Sequence, residues 1–96
     1  MNNSPPTVNV LIDLAVFLGD NPDVQFTRLD ASTGYIEFGA ETVAEFNATK
    51  EAIWAWLDAS PNWVDDDEDF HIAGWSYGDW RVRLYGFKDM PMTGER

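Results

Sequence analysis

Residues 80–85, WRVRLY, set apolar side chains at Trp80, Val82 and Leu84 between more polar ones at Arg81, Arg83 and Tyr85. Successive strand residues point to opposite faces, so a period of two describes a strand with one face on a core and the other in water. Upstream, FHIAGW at 70–75 leads through the glycine-containing SYGD into this strand, which predicts a hairpin over 70–88. A second hairpin is predicted from VQFTRLD at 24–30 and GYIEFGA at 34–40, with turn chemistry from Asp30 to Gly34. In it Val24, Phe26 and Arg28 share one face, and Ile36 and Phe38 lie opposite.

Two helices separate the hairpins. TVNVLIDLAVFL at 7–18 can be capped by Ser4 or Thr7 and is stopped by Gly19, Asn21 and Pro22. At 100° per residue its polar positions, Asn9 and Asp13 with Asp20 beyond, fall in one wedge. A helix so widely apolar is expected to be covered over most of its circumference. Val8, Val10, Ile12 and Leu14 also alternate, which keeps a strand open. Residues 49–59 read as helix. Residues 41–47 either extend that helix back to Thr42 or continue the preceding strand to Phe46. The order helix, hairpin, helix, hairpin predicts one α+β domain over 1–96, an antiparallel sheet of two hairpins packed against two helices on one face, with loose ends near 1–5 and 89–96.

A 96-residue chain buries only about 60–65% of its unfolded surface, so its stability margin is narrow. Five tryptophans, six phenylalanines and three tyrosines fill a small core efficiently. There is no cysteine, which excludes disulfides, thiolate metal sites and thiol nucleophiles. The start, MNNSPP, has no basic region of a signal peptide, and the apolar stretch after it is short and broken by Asp13. The expected location is the cytoplasm.

The net charge is −11. Direct binding to nucleic acid or to an anionic membrane is excluded by this balance, which favours a basic protein partner. The charge is also lopsided. Residues 1–80 hold all the acids except Asp89 and Glu95 but only two bases, Arg28 and Lys50, whereas Arg81, Arg83, Lys88 and Arg96 make the C-terminal part a basic island.

Asp65, Asp66, Asp67, Glu68 and Asp69 form an unbroken acidic run between Trp63 and Phe70, read as a loop between helix and hairpin. Adjacent carboxylates repel by about 1 kcal/mol per pair even in water, a cost a cationic partner converts into affinity. The run fits a calcium loop poorly. Asp65, Asp67 and Asp69 match the first ligand positions, but Phe70 replaces the turn glycine and Ser76 the bidentate glutamate. Glu37, Glu41 and Glu45 recur every four residues and predict an acidic stripe on helix or strand alike. Trp54 and Trp56 lie 200° apart on a helix. With Trp56 joining Thr49, Ala52, Ile53 and Leu57 on the core side, Trp54 is turned outward as a candidate interface anchor. His71, the single histidine, has no serine and carboxylate at triad-like spacing, and the chain reads as a non-enzyme without cofactor or metal.

A small, cysteine-free, strongly acidic domain with a DDDED run and spaced glutamates resembles the phage-encoded nucleic-acid mimics that inhibit restriction enzymes, uracil-DNA glycosylase and CRISPR effector complexes. The resemblance lies in size, charge and placement of acids and carries over no individual residue. The basic island at Arg81, Arg83 and Lys88 departs from a uniformly anionic mimic. The resemblance implies an inhibitor occupying the basic groove of a nucleic-acid-binding protein; the charge pattern and the tryptophan placement of this chain itself then offer Asp65–Asp69, Glu37, Glu41 and Glu45 as phosphate surrogates and Trp54 and Trp63 as apolar anchors. Two other readings remain. One is a structural or assembly subunit docking through the apolar N-terminal helix, as a homodimer or on a larger partner. The other is a carbohydrate-binding module.

Overall fold

The computed structural model describes residues 7–66 and 70–87, with backbone alone at Thr7, Trp63, Asp65 and Asp66. The expected loose ends and Asp67–Asp69 lie outside the described residues. In chain order the elements are α1 (Thr7–Asp20), β1 (Gln25–Asp30), β2 (Tyr35–Ala40), α2 (Val43–Leu57), β3 (Trp63–Asp66), β4 (Phe70–Tyr77) and β5 (Trp80–Phe87). The fold is α+β, with one five-stranded sheet in the order β1-β2-β5-β4-β3.

Both expected hairpins are present. The β4–β5 hairpin closes around Gly78 and Asp79, with Gly78 at φ 63°, a left-handed value that glycine reaches without a steric penalty. The β1–β2 turn is held by Asp30, whose carboxylate accepts bonds from the Ser32 backbone N–H and hydroxyl; these bonds hold the Asp30 carboxyl below its ordinary value.

The sheet differs from the expected all-antiparallel arrangement, because β2 pairs with β5 in parallel. The physical cause is the crossover. After β2 the chain passes through α2 and begins β3 in the same direction as β2, as a helical connection allows. Two reversals then lay β4 and β5 into the gap, so the last strand becomes the central one. Its alternation is clean because one face lies under the helices and the other looks away from them: Trp80, Val82, Leu84 and Gly86 are buried, while Arg81 and Phe87 are exposed.

A second difference is β3 itself. The acidic run was expected in a loop, yet its first half is the edge strand, with Asp65 opposite Ile72 and Asp66 opposite His71. Aspartate is a poor strand former, and pairing with β4 overrides that preference. A third lies in β1, where a register shift between Phe26 and Arg28 marks a bulge. The extra residue keeps Phe26 and Leu29 on the core side but moves Arg28 to the opposite face, away from Phe26.

The core lies between one face of the sheet and the two helices. Ile36, Phe38, Ala73, Trp75, Val82 and Leu84 from the sheet meet Val10, Leu14 and Phe17 of α1 and Phe46 and Ile53 of α2. Aromatic rings join the layers. Phe17 stacks on Trp56 at 4.6 Å and meets Phe38 edge-on at 5.7 Å. The Trp75 indole N–H donates to the Ala59 carbonyl at 3.0 Å, satisfying the polar atom of a buried ring.

Residues 43–57 are helical, so the earlier of the two possible starts is realised. The reason is a cap. Thr42 is extended and its hydroxyl accepts from the Glu45 N–H at 3.0 Å, while the Glu45 carboxylate accepts from the Glu41 N–H at 3.0 Å. The first bond satisfies a donor that a helix start otherwise leaves unpaired, and the second fixes the residue just before the cap. At the far end Asp58 adopts the left-handed conformation at φ 53°.

α1 falls short of the expected coverage. Val10, Leu14 and Phe17 are buried, and the Tyr77 hydroxyl donates to Asp13 at 2.6 Å, tying the helix to β4. Val8, Leu11, Ile12, Ala15, Val16 and Gly19 face out. With both helices on one face of a small sheet, α1 has a single neighbouring layer to pack on. No helix among the described residues is long and apolar enough to cross a membrane.

Candidate functional site

The fold sorts charge by layer. Asp13, Asp20, Asp23, Glu41, Glu45, Glu51 and Asp58 belong to the helices and their adjoining loops, where Lys50 is the one base. The far face of the sheet carries Arg28, Arg81 and Arg83. Arg28 and Arg81 both sit over the Tyr35 ring, 5.7 and 5.6 Å from its centroid, as cation–π partners. The Tyr35 hydroxyl donates to Glu37 at 2.7 Å. Burial pushes the Tyr35 phenol well above its ordinary value, and its hydrogen bonds with Tyr85 and Glu37 push it further.

Glu37 therefore does not share a stripe with Glu41 and Glu45. It lies half-buried on the sheet's far face, opposite Arg28 on one neighbouring strand and Arg83 on the other. Of the basic island, Arg81 and Arg83 lie on β5 beside this glutamate, with Arg28 on its other side, while Lys88 and Arg96 lie outside the described residues. Glu41 and Glu45 are exposed at the start of α2, with Glu45 engaged in the cap. The four-residue spacing predicted one face because it assumed one element, and the chain changes from strand to helix between Ala40 and Val43.

Packing instead groups Glu45 with Asp20 and Asp23 around a cleft of about 270 Å³ between the end of α1 and the first turns of α2. Asp20 and Asp23 were not singled out as site residues. No local pattern links them to Glu45 across more than twenty positions, and only the packing of α1 on α2 brings them together. A larger cleft of about 560 Å³ lies further along the same pair of helices, between Asp13, Val16 and Phe17 on one side and Ala52, Ala55 and Trp56 on the other.

Asp65 and Asp66 occupy the sheet edge, and Trp63 begins that strand. Asp67, Glu68 and Asp69 lie outside the described residues. Trp54 is turned to solvent, 47% exposed, while Trp56 packs on Phe17. His71 is half-buried beside Phe46, their ring centroids 6.0 Å apart.

Arg28–Asp30, at 3.6 Å, is the one ion pair between described residues. Apart from Asp13, half-buried against the Tyr77 hydroxyl, the carboxylates of the helical layer are exposed and without ionic partners among those residues, and the potential they create extends toward whatever approaches. Among the described residues no three His, Asp or Glu side chains converge closely enough to hold a metal ion. No family model, curated protein or solved structure matches the chain.

Proposed function

We propose that the protein is an acidic, protein-binding inhibitor that occupies the basic groove of a nucleic-acid-binding protein or complex, in the manner of the DNA and RNA mimics it resembles. The observation that carries this reading is the sorted charge. One layer presents Glu41, Glu45, Asp20, Asp23, Glu51 and Asp58 with a single lysine among them, and the acidic run begins on an open sheet edge at Asp65 and Asp66. Opposed to a cationic groove, such carboxylates give fast, salt-sensitive association. Trp54, exposed beside these acids on α2, adds an apolar anchor. Glu37, bonded within the basic patch, contributes least.

The test is a pull-down from bacterial lysate at low and high salt, with DNA or RNA as competitor and with Asp65–Asp69 replaced by Asn or Gln in parallel. The expected result is capture of a nucleic-acid-binding protein that salt, the competitor and the neutralised run each abolish. Capture indifferent to all three removes the reading.

A second reading, a non-enzymatic structural or assembly subunit, is favoured by one observation: the outer face of α1 is apolar and open. It predicts association that survives high salt and ignores nucleic acid.

A further inference from the structure

We propose that the outward stripe of α1, with the cleft it shares with α2, is a docking site for a cationic amphipathic helix of another protein. This rests on the assembly reading's premise that the stripe is a contact surface, and it names the occupant. Val8, Leu11, Ile12, Ala15, Val16 and Gly19 recur at the three- and four-residue intervals that place them on one helix face, and all are exposed. The four large ones among them are 41–60% exposed, where α1 offers its whole length of about 21 Å. Val16 carries the stripe into the 560 Å³ cleft, whose opposite wall is Ala52, Ala55 and Trp56. Ala52 and Ala55 keep the far wall of the cleft low, and Ala15 and Gly19 keep the adjoining stripe of α1 low, which suits a helix laid across them.

Charge decides the occupant. α1 and the loop after it, through Asp23, contain no basic residue. The cleft offers Asp13 and Asp20, and the exposed side of α2 adds Glu51 and Asp58. An apolar stripe bordered by carboxylates on its cleft side is complementary to an apolar stripe bordered by lysine or arginine. A second copy of this chain is the wrong partner. It would bring the same acids and a net charge of −11 to the contact. A stable interface between two proteins takes roughly 800 Å² per partner, more than one face of a 14-residue helix supplies. A single inserted helix needs less.

The probe is a fluorescent peptide of about 20 residues with leucines at helical intervals and lysines on both flanks, titrated into the full chain and followed by anisotropy. A control peptide carries glutamate at every lysine position. The expected outcome is micromolar binding of the lysine peptide, none of the glutamate peptide, and at least about tenfold weaker binding by the Ile12→Lys/Val16→Lys variant. Both substituted side chains are exposed, so a thermal melt close to wild type confirms that the variant folds. Equal binding of the two peptides, or undiminished binding by the variant, overturns the proposal. Sedimentation separates it from its premise. A micromolar dimer dissolved by Val16→Lys overturns the cationic occupant and leaves the assembly reading standing, whereas a monomer that binds neither peptide sinks both.

Discussion

Replacing Tyr77 by Phe removes the hydroxyl that donates to Asp13 at 2.6 Å and leaves a half-buried carboxylate without that partner. Hydrogen bonds to charged groups contribute about 1.5–3 kcal/mol. Water competes at a half-buried site, so the expected loss is near the lower end, about 1–2 kcal/mol. For a domain of this size that is a fall in Tm of roughly 5–15 °C. The pH dependence gives the sharper test. The bond to Asp13, then burial, raises the Tyr77 phenol above its ordinary value of 10.0. The unfolded chain therefore releases the proton near pH 10 while the folded chain keeps it. The contribution is complete below pH 10 and is lost as pH rises through the raised folded value. The stability gap between wild type and Tyr77→Phe, measured by urea unfolding, is expected to be constant from pH 7 to 9 and to narrow above 10. Asp13→Asn supplies the other leg of a double-mutant cycle, with an expected coupling of about 1 kcal/mol. Additive single effects and a gap that stays flat to pH 11 refute the argument that this bond ties α1 to the sheet.

Ile53→Ala, at a fully buried position between α2 and the sheet, is expected to cost about 2–5 kcal/mol in urea unfolding. Thr42→Ala removes the α2 cap and is expected to cost about 1 kcal/mol by circular-dichroism melting, whereas Thr42→Ser keeps most of it. Asp65→Thr with Asp66→Thr strips charge from the open β3 edge and improves its strand propensity; size-exclusion chromatography is expected to show concentration-dependent aggregation, and a variant that stays in the wild-type peak excludes an edge-guarding role for the run. Gly34→Ala forces a side chain into φ 69°, with its Cβ 3.4 Å from the Asp79 carbonyl, and is expected to cost about 1–2 kcal/mol by thermal melting.

The alternation at 80–87, the glycine turn at 78 and the wide apolar pattern at 7–18 were legible because each expresses one element's own geometry. Trp54 facing out and Trp56 facing in follow the same way, from the 200° between them. The glutamate stripe was misread because a fixed spacing means one face only while the element stays the same, and Thr42 changes it. The bulge at residues 26–28 was invisible for a related reason: one extra residue breaks the period-two rule at the position where Arg28 changes face.

Composition and periodicity act within segments of ten or fifteen residues, and they were enough to specify a small, disulfide-free, strongly anionic domain of helices and hairpins. Other features arise only from packing: β5 pairs in parallel with β2, the acidic run starts on a sheet edge, Asp20 and Asp23 join Glu45, and the outer side of α1 is left uncovered. Those outcomes depend on which segments lie side by side in space. Pairing and packing between distant segments set that arrangement, and no pattern within a single segment encodes it.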